Sequence, residues 1–505
     1  MTVFPRRAVL AAALALAVSG CATLPPDAGD DDVQSLLSQR QGARLDWRSA
    51  AESDTDEPDR ASALASPMDL DGAIRLAMLH SPRLRLEYAR LGLARAEVME
   101  ALQVGNPRLS LSRESLEPGG GHQRFAGLAV PLADLLALPL RTRLAQAEFG
   151  RGKLDIAAAV LGVVADVEVA WYRYLAARQI AELRTAVAEG SQAAADLAQR
   201  FHEAGNISRL QLSQEQAVAS QARIDAARAQ ARLVRAKLAL DTQLGLTGAL
   251  ADWSTRQQLP LPVPREDSVE DLLALAALNH LPLQAARQRA GLQAQAVAGS
   301  RRLRWLGGSE IGYGQEREAD GTRVRGPSLA LELPLFNQGQ ARVARAEALL
   351  AQAQARVAQA EITVDNDIRQ GARQVQALRD VVEIHGQSLL PQRQRIVDDS
   401  QREQNYMLIG VFELVQAKVK EYDAHEAYLL AIRDYWVARA NLSRAVGQRL
   451  PSDALMPDAG VPSLPGDGSA APHGHDGMDH GGMDHEGMDH EGMDHKENDP
   501  HGDHR

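Results

Sequence analysis

Between Pro139 and Pro260 the chain runs for 120 residues without a proline. At 1.5 Å rise per residue this stretch has room for two helices of about 60 residues, each about 90 Å long. Few globular domains need helices of that length. Leu210, Ala217, Ile224, Ala231 and Leu238 lie seven apart, with Ser220, Ala227 and Val234 three further on. This pattern reads as a coiled-coil seam of mostly small residues, across which helices approach closely. Val415, Tyr422, Leu429 and Trp436 repeat the spacing later in the chain. A plain amphipathic helix facing a core is the alternative there. Aromatic content is only 4% while Ala, Gln, Arg and Leu abound, which favours narrow helical seams over one large core.

The long run belongs to a duplicated unit. Ala77-Met78-Leu79-His80-Ser81-Pro82 recurs 200 residues later as Ala277-Leu278-Asn279-His280-Leu281-Pro282, and Val130-Pro131-Leu132 recurs 203 residues later as Leu333-Pro334-Leu335. Two pseudo-symmetric halves, 67–260 and 261–451, therefore share one plan: helix, two strands, long helical hairpin. The strands are short alternating runs at 108–112, 125–132, 310–313 and 328–333, joined by Gly- and charge-rich loops at 117–121 and 317–323. The fold class is mainly α with a small β part. Four strands cannot close a barrel, and an open edge in lipid costs several kcal/mol per unpaired backbone group. The strands are thus expected to combine with those of other subunits.

The turn Arg200-Phe201-His202-Glu203-Ala204-Gly205-Asn206-Ile207-Ser208-Arg209-Leu210, set in this duplicated order of helix, strand pair and hairpin, resembles that of the outer membrane factors, the TolC-like efflux channels. The resemblance covers about 67–451. It implies a homotrimer whose twelve strands close one β-barrel and whose helices continue as a periplasmic tunnel. It also implies a periplasmic adaptor (membrane fusion) protein gripping the hairpin tips, and an inner-membrane pump of the resistance-nodulation-division type. Gly205 and Ser208 mark the first tip. At an offset of 202, Met407 falls opposite Gly205, Gly410 opposite Ser208, and Glu413 opposite Gln211, so the second tip is more apolar than the family's usual turn. Met407, Leu408 and Ile409 either pack that turn or form a distinct adaptor surface, with three Met407 thioethers near the aperture. Glu413 stands where the family often carries an acidic residue lining the narrow end; a solvated side chain is the alternative.

The N-terminus has an export layout: Arg6 and Arg7, an apolar stretch at 8–18, then Val18-Ser19-Gly20-Cys21. This resembles a lipobox, with 1–20 as signal peptide and Cys21 as the lipid attachment site. Ala22, in place of an aspartate, favours the outer membrane. Residues 21–66, rich in Asp, Pro, Ser and Gly, read as a linker. No later stretch has the ~18 uninterrupted apolar residues of a spanning helix. Cys21 is the sole cysteine, so disulfides have no part, and a net charge of −11 argues against nucleic acid.

After a linker at 452–472 the chain ends in a low-complexity tail, 473–505, with Met-Asp-His at a period of five. Its candidate metal ligands are His473, His475, Met478, His480, Met483, His485, Met488, His490, Met493, His495, His501 and His504. Ten acidic residues against Lys496 and Arg505 give the tail a charge of about −8, and with its glycines it cannot bury a core. Imidazoles suit Cu, Zn and Ni, whereas thioethers select Cu(I) and, by the same softness, Ag(I). Copper or silver is the leading assignment; the Asp in each unit leaves Cu(II), Zn(II) and Ni(II) as further candidates. His80, His280, His385 and His425 are isolated and are read as surface or capping residues.

Three functions compete: a copper or silver efflux conduit, a general drug or toxicant channel with a metal-buffering tail, and a periplasmic metal-sequestering lipoprotein. The paired strands separate channel from scaffold. No Gly-x-Ser-x-Gly, His-Glu-x-x-His or phosphate-cradling loop is present, so an enzyme is not expected.

Overall fold

The computed structural model describes residues 30–41 and 67–465, apart from 104–105, 116–120, 249–252, 306–307, 333 and 458–459. In chain order the elements are α1 (Asp30–Gln41), α2 (Leu70–His80), α3 (Pro82–Leu102), β1 (Arg108–Ser115), β2 (His122–Pro131), α4 (Leu132–Glu203) and α5 (Arg209–Leu244). The second repeat follows as α6 (Val269–Asn279), α7 (Leu281–Arg302), β3 (Glu310–Arg317), β4 (Arg323–Ala330), α8 (Gln340–Ile384), α9 (Leu390–Asn405) and α10 (Val411–Val446). The duplication is plain, but each half opens with two helices where the sequence suggested one. α1 corrects the expectation of an unstructured linker throughout 21–66: Val33 and Leu37 are fully buried in the main core.

Prolines punctuate these rods less than sequence reasoning assumed. Pro139 lies inside α4, which reaches 72 residues, about 108 Å at 1.5 Å per residue. Its partner α5 is half that, 36 residues. In the second repeat, α8 and α9 are joined without a break by a π turn at His385–Leu389. Pro391, in the first turn of α9, has no N–H to give, and the wide turn re-registers the ladder just before it.

Helix ends follow their local chemistry. Asp69 caps α2 by accepting from the Gly72 N–H (2.6 Å), and Ser268 caps α6 by accepting from Asp271 (3.1 Å). The C-caps of α5 and α10 are Gly245 (φ 70°) and Gly447 (φ 83°), both in the left-handed region that glycine enters freely. Gly245 abuts the His80 carbonyl and Gly447 abuts His280, so the same helix-end contact occurs once per repeat.

The coiled-coil seam keeps its seven-residue period but not its phase. Leu210, Ala217, Ile224, Ala231 and Leu238 are exposed, as are Ser220, Ala227 and Val234. α5 instead buries Leu212, Glu215, Ala219, Ala222, Ala229 and Leu240, a stripe set two residues further along. Of the second seam, Leu429 and Trp436 are buried, while Val415 and Tyr422 are half-buried.

The broadest part of the core is a waist where the inter-repeat segment and the chain's C-terminal stretch cross the rods. Trp171 stacks on Trp253 and Tyr172 on Trp436, with ring centroids 6.0 and 5.2 Å apart. Trp436 donates to the Pro260 carbonyl (2.7 Å) and the Val263 N–H donates to the Tyr435 hydroxyl (3.2 Å). Arg439, only 2% exposed, binds Glu266, Ser452 and Asp453 together. Its guanidinium pKa is raised: burial pulls it down, and Asp453, Tyr435 and Glu266 outweigh that. Chain order after Pro451 persists further than the linker reading allowed. A 3-10 turn spans Pro451–Leu455, Gly460 bridges Pro260, and the Val461 N–H donates to the Leu259 carbonyl (2.8 Å).

Candidate functional site: an open sheet and paired helical tips

The four strands form one antiparallel sheet in the order β1-β2-β3-β4, with β2 and β3 joining the two repeats. All are longer than the sequence pattern suggested, or displaced toward the hairpins. Every helix leaves from one end of the sheet, at Arg108, Pro131, Glu310 and Ala330; both hairpins lie at the other.

Side chains alternate across a strand, so the register defines two faces. One carries Leu109, Leu111, Leu128, Ile311, Tyr313 and Leu329, all exposed, up to 71% for Leu111. The other carries Ser110, Ser112, Gly127, Gly312, Gly314 and Ser328, with Phe125 lying against Gly127 and Gly314. Along β3 the first face is exposed and the second half-covered, residue by residue. β1 and β4 are its two unpaired edges. No helix among the described residues is long and apolar enough to cross a membrane.

At the far end of the rods two turns stand together. In the first, α4 closes with Gly205 at φ 77°, and the Asn206 N–H donates back to the Phe201 carbonyl (2.8 Å). Ser208 then starts α5 with a capping box: its Oγ accepts from the Gln211 N–H (3.2 Å), and Gln211 Oε1 accepts from the Ser208 N–H (3.1 Å). The second turn repeats this backbone without the glycine. Met407 takes the left-handed position at φ 62°, alone among described non-glycine residues, and the Leu408 N–H donates to the Glu403 carbonyl (2.9 Å). Gly410 caps α10 with no side chain to help, and Glu413 in its first turn is exposed. Phe201 and Phe412 meet edge to face at 6.3 Å, tying the tips of the two repeats together.

The packing reading of the second turn fails for two of its three residues. Met407 is 92% exposed and Leu408 73%, while Ile409 is half-buried. Tyr406 (77%) and Leu210 (69%) add to the same apolar tip.

The isolated histidines divide. His280 caps α7, its Nδ1 accepting from the Leu283 N–H (3.3 Å), and burial lowers its pKa. His425, buried in α10, contacts the Pro462 carbonyl through Nε2 (2.9 Å) and is likewise lowered by burial. His80 is buried, and His385 lies in the π turn near Tyr428. Among the described residues no group of three or more His, Cys, Asp or Glu side chains is placed to hold a metal ion. Cys21 and all twelve tail ligands lie outside the described residues.

A two-faced, open-edged sheet carried at one end of long paired rods, built from two repeats, is the architecture of the TolC-like outer-membrane channels. No protein-family model and no curated protein matches the sequence. Among solved structures the chain is similar to CusC, described for its folding and transmembrane channel formation, at 16% identity, TM-score 0.62, and 75% and 92% coverage of this chain and that one. It is similar to the outer membrane protein VceC of Vibrio cholerae at 17% identity, TM-score 0.62, covering 75% and 96%. For the outer-membrane channel OprN the values are 14%, 0.62, 82% and 95%.

Proposed function

We propose that this chain is one subunit of a homotrimeric outer-membrane efflux channel, anchored by a lipid on Cys21, and that it exports Cu(I) or Ag(I). The sheet carries the reading. An exposed apolar face and two unpaired edges are unstable in water and, as a single sheet, unstable in lipid; three copies joined edge to edge remove both problems. The glycine- and serine-rich face then lines the pore. The exposed stripe Leu210, Ile224, Val234 and Leu238 on α5 supports the same assembly, since it offers a neighbouring copy a second helical seam. A scaffold lipoprotein has no use for such a sheet. CusC, described as forming a transmembrane channel, and CmeC and MtrE, described as outer membrane channels, share the fold. The apolar tip formed by Leu210, Tyr406, Met407 and Leu408 suits a periplasmic adaptor that in turn meets an inner-membrane pump. The Met- and His-rich tail favours copper or silver as cargo over organic compounds.

The assembly is tested on the full chain extracted in mild detergent and sized by light scattering. A trimer is expected. A monodisperse monomer with full helical content overturns the channel.

A further inference from the structure

The hairpin end of the face that carries Leu109, Leu111 and Leu128 is not apolar. By the register, Arg113 stands opposite Arg124, Arg124 opposite Arg317, and Arg317 opposite Arg323, so one rung of the sheet carries an arginine on all four strands. Arg325 adds a fifth, one rung nearer the helices, opposite Gln315. At about 4.8 Å between strands the rung is about 14 Å wide. Like charges directly opposed across strands repel. The nearest acids on the strands themselves, Glu114 and Glu316, alternate onto the opposite face, where Glu316 accepts from Gln123. All five arginines are exposed, and no ion pair or hydrogen bond engages their guanidiniums among the described residues. A cleft of about 420 Å³ lies between Arg113, Arg124, Arg317 and Arg323. Below the rung of Leu111, Ala126, Gln315 and Arg325 comes the apolar band of Leu109, Leu128 and Tyr313, then Val130, Ile311 and Leu329.

We propose that this arginine rung binds the phosphate groups of outer-leaflet lipid headgroups, fixing the depth and rotation of the sheet in the membrane. The proposal rests on the channel reading, which puts the apolar face in lipid and the hairpins, opposite the rods, on the outer side. A ligand that touches both features must join acyl chains to an anion, as a phospholipid-like headgroup does. Phosphate fits the side chains present: all five positions are arginine and none is lysine, and the guanidinium fork engages phosphate bidentately where lysine offers a point charge. Charge on a lipid-facing strand costs least at the interface, where this rung sits. Bound phosphates also replace the repulsion between neighbouring arginines with shared anionic contacts.

The experiment uses the full-length chain in mixed micelles, with bound lipid counted by native mass spectrometry. The probes are lipid A carrying two phosphates, the same lipid with its phosphates removed, and inorganic phosphate. The wild-type chain should retain the phosphorylated lipid about ten-fold more strongly than the dephosphorylated one. The quadruple variant R113Q/R124Q/R317Q/R323Q should lose that preference while staying assembled, since it removes only exposed, mutually repelling charges. R113K/R124K/R317K/R323K should keep part of it. Equal retention of both lipids, or an unchanged preference in the glutamine variant, overturns the proposal. So does complete displacement by equimolar inorganic phosphate, which would mark a free-anion site. Trimers without lipid preference defeat this inference alone; monomers defeat the channel and the inference with it.

Discussion

Met407 and Gly205 occupy the same left-handed turn position in the two repeats, and only one of them is a glycine. The sequence alignment of the halves made that pairing legible; what the side chain does there was not, because exposure depends on what packs over the turn. A methionine in this backbone region costs about 1–2 kcal/mol, and at 92% exposed it recovers little of that within one chain. The histidines were read too simply for a similar reason: isolation in sequence says nothing of burial. His280 and His425 are both buried enough that their folded-state pKa falls below the ordinary value near 6.5. The unfolded chain therefore binds protons that the folded chain refuses. Their contribution to stability is whole above that value and is lost as pH falls through it. The melting temperature should drop between pH 7 and pH 5. His280→Asn keeps an acceptor for the Leu283 N–H and His425→Gln keeps a donor for the Pro462 carbonyl, so the double variant should flatten part of the drop. An equally steep drop in that variant would remove these two groups from the pH response.

At the scale of elements, what sequence pattern reads well is periodicity, and what it reads poorly is phase and termini. α5 has two apolar stripes of period seven, and no local signal says that Leu212 to Leu240 faces α4 while Leu210 to Leu238 stays open. Pro139 misled in the same way, since it lies inside the continuous rod of α4 rather than at its start. The glycine caps, by contrast, obey purely local rules and are tightly constrained. Adding a Cβ at Gly245 would impose a left-handed φ of 70° on alanine and drive it into the His80 carbonyl. Gly245→Ala should destabilise the protein by about 1–3 kcal/mol. Gly190→Ala, in mid-α4 with no atom within 4 Å of the added carbon, should instead stabilise it by about 0.4–1 kcal/mol. Thermal unfolding of the two variants side by side checks both signs. Two shifts in the same direction would refute this account of the caps.

For the whole molecule, the waist holds the last described residues. Val461 and Pro462 are held by Gln179 and His425, and Gln179 lies on α4 roughly 35 Å from the tip, well away from the sheet. The described chain therefore ends at Pro465 against the rods rather than at the sheet. Four repeats of Met-Asp-His offer many interchangeable ligand sets, so binding should be multiple and of modest affinity per ion. Only a soft ion gains from the thioethers, so Cu(I) should outcompete Zn(II). Changing Met478, Met483, Met488 and Met493 to Leu should erase much of that preference while leaving the imidazoles. Protons compete for imidazole near pH 6.5, so the His-dependent share should weaken below about pH 6 and the thioether share should persist. The decisive measurement is a titration of the full-length chain, beside a version ending at residue 472, with Cu(I), Ag(I) and Zn(II) under reducing conditions. The difference between the two should be several ions of copper or silver per chain. In cells, the shortened chain should assemble normally yet tolerate copper less well. Equal affinity for zinc and copper would remove the copper assignment and leave the channel standing.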